Sequence, residues 1–204
     1  VATTEGFVRF DANFKNIGDI NFYHYQNNHQ ISHGMGANDI YSIYEDNDRN
    51  IWFATFGGGF SRLKNRDMKS GIPSFEVFDR NNGMPNNVVY TIVDDKLGNL
   101  WLTTDNSIVR FNKEQRTVET FGKGNELENV EFSEAHASML ANGEIVMGAK
   151  SGFYSFLPTA VRRRMINAPL VFTRLLLFNR EVKLNDTDKL LSRHIDFSDK
   201  IVFS

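Results

Sequence analysis

Short runs in which apolar and polar residues alternate, punctuated by Gly, Asn and Asp, occupy most of the chain. Tyr41 to Tyr44 and Ile51 to Thr55 are β-rich runs joined by a polar turn, and Phe60 to Leu63 follows a glycine-rich turn. Ser74-Phe75-Glu76-Val77-Phe78 alternates as a strand with one buried face does. Apolar stretches such as Leu175-Leu176-Leu177-Phe178 and Leu100-Trp101-Leu102 are strand-sized. The pattern predicts an all-β chain of short strands.

The runs repeat. Asn38-Asp39-Ile40-Tyr41-Ser42-Ile43-Tyr44-Glu45-Asp46, followed by Asn50-Ile51-Trp52-Phe53-Ala54-Thr55, returns as Asn87 to Asp95 followed by Asn99-Leu100-Trp101-Leu102-Thr103-Thr104. The offset is 49 positions at both Trp (101 − 52) and Asn (87 − 38). After one deleted residue, Gly59-Phe60-Ser61-Arg62-Leu63 matches Ser107-Ile108-Val109-Arg110-Phe111. The opening Ala2-Thr3-Thr4-Glu5-Gly6-Phe7-Val8-Arg9-Phe10 matches the tail of the unit. Asn142 to Ala149 and Gly152 to Phe156 form a weaker copy, with Val146 where Trp is expected. Four short antiparallel strands at this period make a β-propeller blade, which must stack on neighbours to bury both faces. Residues 1–158 then hold about three blade units, too few for a closed ring of the usual 4–8 blades. The remaining blades would come from further chain or another copy. Trp52 and Trp101 are expected to fill the space between blades.

After Pro158 the repeat stops. Residues 159–168, with Arg162-Arg163-Arg164, read as a basic connector. Residues 169–204 read as the first strands of a β-sandwich: Pro169 to Phe178, a turn at Asn179-Arg180-Glu181, then His194 to Phe197 and Lys200 to Phe203. A start at Val1 and an end in a strand-like run suggest a piece of a longer polypeptide.

Composition removes several functions. With 25 acidic and 23 basic residues among 204, the near-neutral chain lacks the basic excess of a nucleic-acid binder. The absence of Cys excludes disulfides, zinc–thiolate sites and cysteine nucleophiles. No apolar run is long enough to span a bilayer. Hydrophobic residues at 41% support a core, and 18 Phe suit packed sheets.

Candidate chemistry is sparse. Glu45-Asp46-Asn47-Asp48 lacks the glycine and distal Glu of a calcium loop, so Asp46 and Asp95 read as turn residues accepting local N–H bonds. His24, His29 and His33 lack a metal-binding spacing, and Gly57-Gly58-Gly59 lacks the Lys and helix of a phosphate loop. No metal or cofactor is expected. Arg9, Arg62 and Arg110 recur at one blade position, which argues for a structural pairing, between blades or with Asp46 and Asp95. Arg62 and Arg110 could alternatively grip a carboxylate or sulfate. In a propeller, the loops entering the inner strand and those joining the second and third strands share one face. That face would carry Asn38, Asp39, Thr55, Phe56, Asn87, Asp105 and Asn106, whose amides and aromatic ring suit sugar hydroxyls and ring faces.

Glu45-Asp46…Asn50-Ile51-Trp52-Phe53-Ala54-Thr55…Gly58-Gly59-Phe60-Ser61-Arg62-Leu63 and its second copy resemble the two-component regulator propeller repeat. Glu131-Phe132-Ser133…Gly143 to Ala149…Gly152-Phe153-Tyr154-Ser155-Phe156-Leu157-Pro158 resembles the last blade of such a propeller. Ala168-Pro169-Leu170-Val171-Phe172-Thr173…Phe178-Asn179-Arg180 looks like entry into the Tyr-rich immunoglobulin-like domain that follows it. The resemblance implies the non-catalytic periplasmic sensor region of a hybrid two-component histidine kinase, homodimeric and anchored through a downstream membrane helix. It implies an oligosaccharide ligand and a phosphorelay output. A propeller lyase or hydrolase, or an interaction scaffold, are the alternatives.

Overall fold

In the computed structural model the described residues are 1–27, 34–64, 73–122, 127, 130–162 and 173–183. They belong to two units, 1–162 and 163–204. His29, His33, the Arg163-Arg164 part of the connector and the strands expected at 194–197 and 200–203 lie outside the described residues.

The first unit is a row of antiparallel sheets. Strands β1 (Ala2–Thr3), β2 (Gly6–Phe10) and β3 (Phe22–Tyr25) form a leading partial blade. The first full blade holds β4 (Ile40–Glu45), β5 (Ile51–Thr55), β6 (Phe60–Leu63) and β7 (Phe75–Phe78) in sequential order. The second holds β8 (Thr91–Asp94), β9 (Asn99–Thr103), β10 (Ile108–Asn112) and β11 (Val118–Phe121). A trailing partial blade contains β12 (Ala137–Met139), β13 (Ile145–Ala149) and β14 (Gly152–Phe156). The chain is all-β in open four-stranded sheets and their partial copies, as the repeat predicts. The full blades and the trailing one adjoin through their inner strands, β4 to β8 and β8 to β12, and the leading partial blade meets β4 through β1, its second-strand position.

The core lies between the sheets, because side chains alternate along each strand. Phe7, Met35, Ile40, Phe53, Leu63 and Phe75 fill the seam before the first full blade. Trp52, Phe60 and Phe78 meet Leu100, Leu102 and Phe111 in the next. Trp101 meets Val130, Phe132, Ile145 and Met147 in the third. Both tryptophans are 1% exposed. Trp52 reaches across its seam to Phe111 (ring centroids 6.0 Å apart), and Trp101 to Phe156 (4.8 Å). Each buried aromatic of this size contributes roughly 2–3 kcal/mol, so the seams are where one repeat stabilises the next.

Burying an indole strands its N–H unless an acceptor follows it inside. Asp46 supplies one: its Oδ2 accepts from Trp52 Nε1 at 2.9 Å, and its Oδ1 from the Asp48 and Asn50 main-chain N–H groups. Asp95 does the same for Trp101 (3.0 Å), Leu97 and Asn99. One carboxylate therefore closes the hairpin turn and satisfies the tryptophan. The Lys113 ammonium joins the two full blades by reaching Asp46, Asp48 and Asp94. Burial works to raise the Asp46 carboxyl, but bonds from Asn50 and Trp52 and the charge of Lys113 hold it below its ordinary value.

A second recurring device closes the turn between second and third strands. Thr3, Thr55 and Thr104 each turn a hydroxyl onto the carbonyl of Gly6, Gly59 and Ser107 respectively. Gly59, at φ +70°, lies where a Cβ would come within 2.1 Å of the Phe78 carbonyl oxygen. The equivalent Ser107 does not have a positive φ and so accommodates a side chain, and a glycine faces it. There Gly122 stands in the register position of Asp79, and a Cβ on it would meet Ser107 Cβ at 3.3 Å.

In the second unit, β15 (Leu176–Leu177) pairs with β16 (Arg180–Glu181). The expected turn at Asn179-Arg180-Glu181 is corrected to Phe178-Asn179, and the strand expected to run through Phe178 ends at Leu177. Both turn residues have positive φ (47° and 64°), as a two-residue primed hairpin requires.

Asp95→Ala should lower stability by about 2–3 kcal/mol in a denaturant titration, because it leaves a buried indole N–H without its acceptor. Asp95→Asn, which keeps an acceptor oxygen, should cost less. Since the folded Asp46 pKa lies below the ordinary 3.8, its bonds stabilise above that pH and are lost as pH falls through the folded value. The denaturation midpoint should drop in that acid range, and Asp46→Asn should flatten this part of the profile.

Candidate functional site

The loops that enter the inner strands and those joining second to third strands do meet on one face. Much of their polar chemistry is consumed in holding blades together. The Asn38 carbonyl accepts from Gly6 N of the preceding blade at 2.7 Å, and the Asn87 carbonyl from Gly57 N and Gly59 N. Their side chains also bind backward: Asn38 Oδ1 accepts from Asn27 N, and Asn87 Oδ1 from Arg80 N. The two register-matched asparagines are thus interblade staples. Thr55 is fully buried, with its hydroxyl on Gly59. Asn106 is exposed at its turn.

The remaining candidates come together with residues that the repeat alone did not single out. Asp39 accepts Phe56 N on its main-chain oxygen (2.9 Å), setting the Phe56 loop against the inner-strand entrance. Phe56 itself is 52% exposed. Its ring lies edge-on to Tyr41 at 6.0 Å, and Tyr41 lies 5.3 Å from Tyr90 of the next blade. Tyr90 Oη donates to Asp105 Oδ1 at 2.6 Å, and Asn86 Nδ2 donates to Asp105 Oδ2 at 2.7 Å. The Asp105 carbonyl accepts from Phe132 N, which brings the chain leading to Glu134 alongside. Phe56 and Asp105 occupy the same position of successive repeats, as do Tyr41 and Tyr90.

The electrostatics of this cluster have one sign. Burial and then the charges of Asp39, Glu134 and Asp105 push the Tyr41 phenol above its ordinary value. Tyr90 is pushed further, by burial and by the bond it donates to Asp105. Among the described residues, no salt bridge reaches Asp39, Asp105 or Glu134, and no group of three acidic or His side chains is placed to hold a metal ion. What the arrangement offers is aromatic surface beside hydrogen-bond acceptors.

The recurring arginines stand elsewhere. Arg62 pairs with Glu76 (2.7 Å) and lies over the Trp52 ring; Arg110 pairs with Glu119 and lies over Trp101. Arg9 lies over Tyr23, which takes the register position of those glutamates. The expected pairing with Asp46 and Asp95 is therefore corrected: the indoles and turn amides already fill those carboxylates. Arg62 and Arg110 act across the third and fourth strands of their own blades, and Arg110 also reaches beyond its blade, its Nη1 donating to the Val161 carbonyl at 3.4 Å. A second depression along the inner strands is lined by Ser42, Tyr44, Thr91, Asp94 and His136. Its Asp94 is held by Lys113 and by Lys96 N.

Residues 34–57 and 83–106 match the family model described as the two component regulator propeller. These two segments are similar to repeats of that family. Among solved structures, it resembles the extracellular domain of a protein from B. thetaiotaomicron described as a one component system. The TM-score is 0.56 at 16% identity, over 79% of this chain and 20% of that one. The extracellular domain of a system described as hybrid two component, from the same organism, aligns at TM-score 0.45 and 18% identity over 85% of this chain and 30% of that one. This chain thus spans under a third of either neighbour, and at these identities the first match speaks for the fold. No match is found among curated proteins. No helix among the described residues is long and apolar enough to cross a membrane.

A raised Tyr90 pKa means that the Asp105 bond stabilises below the ordinary phenol value and is lost as pH rises through the folded one. Spectroscopic titration of the tyrosines should show one phenol ionising well above 10.0, and Asp105→Ala should bring it down.

Proposed function

We propose that this chain, whose two full blades carry segments similar to two-component regulator propeller repeats, is a non-catalytic segment of an extracytoplasmic sensor. Its Phe56–Tyr41–Tyr90–Asp105 face binds an oligosaccharide. The observation that carries the reading is the exposed Phe56 ring, continuous with two tyrosines and bordered by the Asp105 carboxylate and Asn86 amide. Aromatic faces stack on sugar rings, and carboxylates accept from sugar hydroxyls.

Binding at this face bears on two blades at once. Tyr41 and Phe56 belong to the first full blade, Tyr90 and Asp105 to the second. A ligand touching both favours one arrangement of the blades, and the response is a shift between arrangements. In the parent, residues 1–158 belong to a larger propeller completed by other blades. A linker at 159–168 and a sandwich beginning at 169 pass the change to a membrane helix and a histidine kinase. The segment sits in the periplasm, and the parent signals as a homodimer. A lyase or hydrolase is the weaker reading: a phenol driven toward its protonated form, as Tyr90 is, makes a poor general base.

Calorimetry against a glycan panel tests the reading. At least one oligosaccharide should bind without being cleaved, and Phe56→Ala should weaken it about tenfold through lost stacking. Binding that survives Phe56→Ala unchanged would place the ligand elsewhere, and product formation would revive the enzyme.

A further inference from the structure

The charge at this face narrows the ligand. Six carboxylates of the described residues are paired with a cation: Glu76 with Arg62 and Arg116, Glu119 with Arg110, Glu131 with Lys150, and Asp46, Asp48 and Asp94 with Lys113, whereas the donors on buried Asp95 are neutral. Asp105 is half-buried and fixed by two neutral donors, the Tyr90 hydroxyl and the Asn86 amide. Asp39 and Glu134 add their charge to Tyr41, and Glu134 to Tyr90 as well, from two further loops.

Aromatic rings attract cations through their negative faces, and a nearby carboxylate with no cation partner among the described residues adds to that attraction. The same combination repels acidic sugars. A neutral sugar hydroxyl would use Asp105 as an acceptor but gain nothing from the three-fold negative field. An oligosaccharide stacked along Phe56 and Tyr41 can present a protonated amine on a further ring to Asp105, beyond Tyr90.

We propose that the ligand recognised at the Phe56–Tyr41–Tyr90–Asp105 face is an oligosaccharide bearing a free, protonated amino group. The inference rests on the glycan-binding reading above and adds the charge of its ligand. The exposed Phe56 supplies stacking common to all sugars, while Asp105 supplies the preference for the amine. The two residues stand at the same position of successive blades, so one repeat site has been given a stacking residue in one copy and an anion in the next.

The test compares three oligosaccharides of equal length and linkage on the full chain, at a pH below the amine's own pKa: chitosan, chitin and cellulose fragments. They present an ammonium, an acetamide and a hydroxyl at one ring position. Chitosan should bind about tenfold tighter than the cellulose fragment at low salt, the gain expected of a cation against aromatic and carboxylate groups together, and the gain should shrink as salt is added. Asp105→Asn should bring the two affinities together, whereas Phe56→Ala should weaken both. Equal binding of the ammonium and hydroxyl ligands overturns the amine preference and leaves the glycan reading standing. A preference that persists in Asp105→Asn, with Phe56→Ala as the control for a folded surface variant, overturns the assignment of that preference to Asp105. If none of the three binds while another glycan on the panel does, the amino-sugar assignment falls alone; if no glycan binds, both readings fall.

Discussion

A four-stranded antiparallel sheet with apolar residues on both faces cannot stand alone in water, and this requirement governs the molecule. Along β5 and β9 the side chains alternate without becoming polar on either side: Trp52 and Ala54 face forward while Phe53 faces back, and Trp101 faces forward while Leu100 and Leu102 face back. Each blade is therefore both cover and covered. The details that recur from repeat to repeat serve that stacking. Asp46 and Asp95 make it possible to bury an indole. Asn38 and Asn87 tie the entrance of one blade to the exit of the last. Arg62 and Arg110 stiffen the outer strands behind the tryptophans.

Function is left to positions where stacking is indifferent. The residue after the turn threonine is Phe56 in one blade and Asp105 in the next, although the threonines themselves are held identically by their hydroxyl bonds. Phe56 is anchored by its N–H on the Asp39 carbonyl and Asp105 by its own carbonyl accepting from Phe132 N, so the backbone holds each position while the side chain differs. The candidate site is assembled from such released positions, and it lies across a seam rather than within a blade. Under the proposed function, that placement is what would let a ligand act on the relation between repeats.

The 49-residue offset made the strands, their order and the buried tryptophans legible in the sequence, because both copies preserve the register through the Asp turn and the Trp strand. Three features were not legible. The partners of the arginines are glutamates on the fourth strands, where the copies diverge, so the nearer Asp46 and Asp95 looked equally suitable. Asn38 and Asn87 carry amides of the kind that bind sugars, and only the neighbouring blade reveals that these are occupied. Tyr41 and Tyr90 read only as matching residues of repeated β-rich runs until adjacent blades bring them within 5.3 Å of each other. In the second unit, the two positive-φ residues at Phe178 and Asn179 moved the hairpin turn by one residue, because Phe carries no turn signal of its own.

The central claim, that tryptophan packing across a seam joins one repeat to the next, is tested most directly by a double-mutant cycle between Trp52 and Phe111. The pair lies on different blades with ring centroids 6.0 Å apart. Denaturant unfolding of Trp52→Leu, Phe111→Leu and the double variant should give a coupling of about 1 kcal/mol, the range for an aromatic pair in contact. Strict additivity of the two substitutions would contradict it, since residues on blades that do not stack have nothing to share.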